Sequence, residues 1–144
     1  MQLARRFQNT GLVEDINNAI EIMEGLTEDN HITAAILNNY RVMIGLRFQR
    51  IGSMDDLNRA ADVASQAVDI TPRDHPDRVI YLNNLGNWLG TRFDRIGSIE
   101  DMDQQLLSYI AGWNCETSLL IVRIYTARRA ADILATNHDW QRSS

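Results

Sequence analysis

The stretch LNNYRVMIGLRFQRIGSMDD, from Leu37 to Asp56, returns as LNNLGNWLGTRFDRIGSIED from Leu82 to Asp101, identical at 11 of 20 positions and displaced by 45 residues. A phrase rewritten at that distance constrains the fold more than any other feature of the chain. A unit of this length is one supersecondary element, too small to bury its own apolar side, and it must lean on its neighbours. A weaker copy comes first: FQNTGLVEDINNA from Phe7 aligns with FQRIGSMDDLNRA from Phe48, sharing Phe7, Gln8, Gly11, Asp15, Asn17 and Ala19 at an offset of 41 residues. The shortfall falls in the turn around Thr27 to Asn30, which lacks the residues that TPRDHP supplies later. Length variation between repeats belongs in such connections.

Within each copy the local chemistry reads helix, tight turn, helix. Gly52 and Gly97 suit the left-handed end of one helix, Ser53 and Ser98 suit the cap of the next, and Asp56 and Asp101 follow three residues on. Apolar residues then recur at helical spacing, as in Leu57, Ala60, Ala61, Ala64, Ala67 and Val68. Pro72 and Pro76 in TPRDHPDR mark a break between elements. The spacing predicts an all-α chain with helices over 1–9, 13–25, 32–50, 54–70, 76–95, 99–112 and 118–136. These seven helices make three hairpins and one unpaired helix in a single domain 1–144, with repeats over about 1–30, 31–74, 75–115 and an incomplete 116–144.

Composition narrows the chemistry. Hydrophobic residues make up 44% of the 144, enough for a core if arranged in stripes. No apolar run approaches the roughly 20 residues that span a bilayer, and MQLARRFQNTG has no apolar region of a secretory leader behind its charges, so a cytoplasmic address is expected. The single Cys115 fits a reducing compartment and excludes a cysteine metal cluster. A net charge of −5 spread along the chain argues against nucleic acid as a partner. All 14 basic residues are Arg, so Schiff-base, P-loop-lysine and kinase-type lysine chemistry is excluded. His31 and His75, beside Asp29 and Asp74, are read as caps of the following helices, with Pro76 at a first helical position. They lack the spacing of a metal pair, and no Ser, His and Asp constellation can be assembled locally. No catalytic residue, metal ligand or cofactor is assigned.

Leu82, Asn83, Asn84, Leu85, Gly86 and Gly97, with Ala60, Ala67 and Pro72 in the repeat before, carry a resemblance to tetratricopeptide repeats. The type is the long repeat of filamentous fungi, close to that of kinesin light chain. Ser118 to Trp140, SLLIVRIYTARRAADILATNHDW, is similar to the last segment of fungal arrays that precede a caspase-like CHAT domain. The resemblance implies an α–α superhelix whose first helices line a concave groove, with Asn38, Asn83 and Arg128 at one groove position and Val42, Asn87 and Asp132 one turn on. A carboxamide offers both a donor and an acceptor and can clamp an extended backbone, though it can equally bond a neighbouring helix. Arg128 and Arg129 can receive a carboxylate or phosphate, or pair with Asp132 or another acid. Trp88 and Trp113 read as packing residues, and Trp140 as the start of a second helix in the last hairpin. Gln105, where the other copies have Ala19 and Ala60, implies a third hairpin that is splayed or differently packed, and Arg41, in place of Gly86, implies altered packing in the second.

Neither end of the array supplies a polar cap, so its end faces, including Ile121, Ile124, Ala127, Ala130, Ala131 and Leu134, are expected to be covered by a second copy in a homodimer or by further sequence. The favoured function is a module that binds a peptide or protein segment without catalysis. The alternatives are a small-molecule site or enzyme in the groove or dimer interface, and a portion of a larger fungal regulator.

Overall fold

A computed structural model describes residues 2–28 and 32–143, with side chains over 11–28 and 32–139 and at Arg142. It is all-helical, with no strand among the described residues: α1 (Gln2–Thr27), α2 (Ala34–Ile51), α3 (Met54–Ile70), α4 (Arg78–Ile96), α5 (Ile99–Trp113) and α6 (Leu120–Ser143). The chain divides into two compact units, residues 1–67 and 68–144, the boundary falling in the last turn of α3.

The repeated phrase builds the same joint in each unit. Gly52 and Gly97 hold φ of 72° and 67°, and each amide donates to the carbonyl of Phe48 or Phe93 at 2.7 Å. An L side chain at such a φ presses its Cβ on the following carbonyl. Gly52→Ala and Gly97→Ala are each expected to lower the urea unfolding free energy by about 1–2 kcal/mol. A variant as stable as the parent would show that the turn tolerates another geometry. Past the glycine, Ser98 Oγ accepts the amide of Asp101, and the Leu57 amide donates to the Ser53 carbonyl as α3 begins.

The same joint is cross-braced by a salt bridge. Arg47 on α2 grips Asp56 on α3 through Nε and Nη2, at 2.9 and 2.6 Å, and Arg92 on α4 grips Asp101 on α5 at 2.9 and 2.8 Å. The four residues are equivalent across the 45-residue offset. The acidic side chains are 6% and 7% exposed. A two-pronged fork on a buried carboxylate fixes both the distance and the rotation of the helices it joins. Arg47 also donates to Asn17 at 3.0 Å, which ties α1 into the joint.

The first unit buries Ile16 and Ile20 of α1, Leu37, Tyr40, Ile44 and Phe48 of α2, and Leu57, Ala60, Ala61, Val63, Ala64 and Ala67 of α3. The spacing follows the helical period, so each helix turns one apolar stripe inward. Tyr40 adds a polar tie, donating to Glu24 at 3.0 Å and accepting from Arg59 at 2.9 Å. In the second unit Val68, Val79, Leu82 and Cys115 form a core cluster with Tyr81, Leu85 and Val122 packed against it.

Helix count and two boundaries depart from the sequence expectation. The weak first copy makes no turn: α1 runs unbroken through Gly11, and the described residues form six helices rather than seven. The aligned position of Ser53 and Ser98 holds Leu12, which has no hydroxyl to cap a new helix, and continuing the helix satisfies those amides instead. Pro76 does not open α4. It lies in the preceding turn, where His75 Nδ1 accepts the Asp77 amide at 3.0 Å, and the helix starts at Arg78. The expected cap at His31 and Asp29 lies outside the described residues. Trp140 begins no separate helix, since α6 continues through it to Ser143.

Candidate functional site

Asn83 and Asn87 lie one helical turn apart on α4 and therefore share a side of it. The neighbouring positions Gly86 and Gly90 are buried, and the absence of side chains there lets α5 approach closely. A Cβ at Gly86 would stand 2.6 Å from Tyr109 Cε1, and the Gln105 side chain lies directly over Gly90. Of the two expectations for the third hairpin, splayed or differently packed, the second describes it: Gln105 uses the space that Gly90 leaves. The equivalents of Gly86 and Tyr109 in the first unit are Arg41 and Ala64, so the large and small residues have changed helices.

Tyr109, fully buried, donates its hydroxyl to Asn87 Oδ1 at 2.6 Å. From α6, Arg129 Nη2 donates to the same Oδ1 and to the Tyr109 hydroxyl, both at 3.1 Å, while Nη1 reaches the Tyr125 hydroxyl at 3.4 Å. The guanidinium lies 5.3 Å from the Tyr109 ring centre and 5.8 Å from that of Tyr125, within cation–π range of both. Three helices are thus locked around one carboxamide oxygen, whose two lone pairs are both used.

Asn83, one turn earlier, is the contrast. Its Oδ1 is buried and has no hydrogen-bond partner among the described residues. An acceptor left so costs about 1–3 kcal/mol.

The remaining candidates are placed as follows. Asn38 belongs to the first unit, half-buried, with Oδ1 accepting from Arg41 Nε and Nη2 at 3.2 and 3.1 Å. Burial pulls the Arg41 guanidinium below its usual pKa. Arg128 and Asp132 stand on the exposed side of α6, and the α6 arginine that meets Asn87 is Arg129. Trp113 is 39% exposed rather than packed in a core, and Arg123 lies 4.9 Å over its ring while donating to its carbonyl at 2.8 Å. Cys115 is buried, which pushes its thiol pKa up, and its Sγ bonds the Ala111 carbonyl. Among the described residues no group of three His, Cys, Asp or Glu could hold a metal ion, and no helix is long and apolar enough to cross a membrane.

Tyr109 was not a sequence candidate. The signal for it is the compensating exchange, Gly86 with Tyr109 against Arg41 with Ala64, which emerges only when both copies are compared as helix pairs. Compared with protein-family models, curated proteins and solved structures, the chain matches none.

Proposed function

We propose that the chain is a helical-repeat module of the tetratricopeptide kind that binds an extended peptide segment along the Asn83 and Asn87 side of α4, without covalent chemistry. Two helix pairs that share one glycine turn and one Arg–Asp fork support the repeat reading. The observation that carries the binding reading is the buried Asn83 Oδ1 with no donor. An extended backbone presents N–H groups at regular spacing, and one of them would complete that acceptor once the half-buried Asn83 side chain turns its carboxamide outward. Asn87, braced by Tyr109 and Arg129, holds α4 rigid beside it, and its Nδ2 can donate to a peptide carbonyl.

The reading separates stability from function at one residue. Asn83→Leu removes a buried acceptor without a partner, so the variant is expected to be about 1 kcal/mol more stable than the parent in urea. Peptides selected from a random library displayed on phage and enriched on the parent chain should bind this variant at least about tenfold more weakly, the loss of one buried hydrogen bond. Failure of any peptide to enrich, or equal affinity for parent and variant, would remove the proposal. A destabilised Asn83→Leu would make Asn83 a structural residue.

A further inference from the structure

The outer side of α6 carries a second surface. Its inner side is set by the fully buried Thr126, by Ala130, and by the close approach of Thr126 to Gly112 of α5, where a Cβ would stand 3.1 Å from Thr126 Cγ2. The opposite side holds Ile121, Tyr125, Arg128, Asp132, Ala135 and Asp139, all exposed and separated by four, three, four, three and four residues. That alternation places them in one seam of the kind by which two helices pack lengthwise. Ile121 is 76% exposed, and Ile124 on its flank is 51% exposed.

The seam is its own complement. The set 121, 125, 128, 132, 135, 139 maps onto itself when reversed about residue 130. Two antiparallel copies related by a two-fold axis there bring Arg128 of each to Asp132 of the other, and Tyr125 of each to Ala135 of the other. Large faces small and positive faces negative at these two inner pairs, while at the ends Ile121 of each meets Asp139 of the other and gains only its contact with the side-chain stem. Within one chain Arg128 and Asp132 share no ion pair or side-chain hydrogen bond among the described residues, although they are one turn apart. An arginine N-terminal to its acid at this spacing is the weaker orientation for a pair within one helix. Each is therefore available to a partner helix.

We propose that the outer face of α6 binds the same face of a second copy of this chain, as an antiparallel two-fold helix pair. A closed two-fold contact needs one self-complementary patch and nothing else, which this seam supplies. At a rise of 1.5 Å per residue the seam is about 27 Å long, so the contact lies near the small end of specific interfaces. A contact of this size makes the dimer a weak and reversible one.

Light scattering behind gel filtration, and sedimentation equilibrium, on the whole 144-residue chain would test the pairing by charge exchange. The parent should pass from 16.4 kDa to twice that mass as concentration rises. Arg128→Asp alone and Asp132→Arg alone set like charges face to face, and each should weaken assembly by about tenfold or more. The double variant, Arg128→Asp with Asp132→Arg, restores opposite pairs and should return to within about threefold of the parent. Both positions are exposed, and helical circular dichroism equal to the parent's confirms that each variant folds. A parent that stays monomeric up to millimolar concentration overturns the proposal. So does a dimer indifferent to the single changes, which would assemble through another face, and so does a double variant no better than the singles.

Discussion

Tyr109→Ala is expected to lower the stability of the second unit by about 3–5 kcal/mol, the range for removing a fully buried aromatic ring from a core. The ring fills the space that Gly86 leaves on α4, and its hydroxyl links Asn87 to Arg129, so packing and hydrogen bonding fail together. Tyr109→Phe separates the two contributions. Asn87 Oδ1 would still accept from Arg129, and the loss should fall to about 1–2 kcal/mol. Gly86→Ala presses a methyl group onto the same ring and should cost about 1–3 kcal/mol by overpacking. Combined with Tyr109→Ala it should cost far less, because the cavity accepts the methyl. Urea unfolding followed by far- and near-ultraviolet circular dichroism would measure the cycle. A Tyr109→Ala loss below about 1.5 kcal/mol would mean that α4 and α5 close on each other without the ring.

The second large effect is expected at the repeated fork. Asp101→Ala leaves the Arg92 guanidinium, 22% exposed, against the start of α5 without its carboxylate. Removing one member of a buried pair costs about 3–5 kcal/mol, and the partial exposure of this arginine discounts the expectation to about 2–4. The double replacement Arg92→Met with Asp101→Leu should be milder than Asp101→Ala alone, since no charge is then left stranded. Asp56→Ala in the first unit should match or exceed Asp101→Ala, because Arg47 also holds Asn17 of α1. Loss of stability only from the double replacement, with the single variant neutral, would run against this account.

These effects fall on elements that differ in how far the sequence announces them. The joint after each phrase is legible because its chemistry is local. A residue at positive φ must be able to take it, and a helix start needs an acceptor for its first amides, so Gly97 and Ser98 declare themselves without reference to the rest of the chain. The joint expected at Gly11 does not form: Leu12 in the capping position offers no acceptor for the next amides, and shared residues such as Phe7 and Asp15, which suggested a break there, do not replace it. The fork was half visible. Asp56 and Asp101 stood out as residues of a helix start, whereas their use as the far end of an arginine clamp depends on two helices meeting across the turn.

For the candidate site the limit is sharper. Sequence could name Asn83, Asn87 and the adjacent arginines as groups able to clamp a peptide, but not which lone pairs are already taken. That Asn87 is consumed by Tyr109 and Arg129, while Asn83 Oδ1 is left buried without a donor, follows from the rotation of α6 about its axis. A rotation by one residue, about 100°, exchanges Arg128 and Arg129 between the outer seam and the inner contact. Periodicity suggests such a rotation only where apolar residues mark one stripe, and in α6 Ile121, Val122, Ile124, Ala130, Ile133 and Leu134 lie all around the helix.

By itself, then, the sequence determined the all-helical class, the two glycine turns and the pairing of helices across them, because each depends on residues within one repeat. Tertiary structure decided which side of each helix is buried, which carboxamide is satisfied, and that Arg128 and Asp132 look outward. Those outcomes depend on the volume of a facing side chain, Tyr109 against Gly86 and Gln105 against Gly90, and such volumes are matched only between residues distant along the chain.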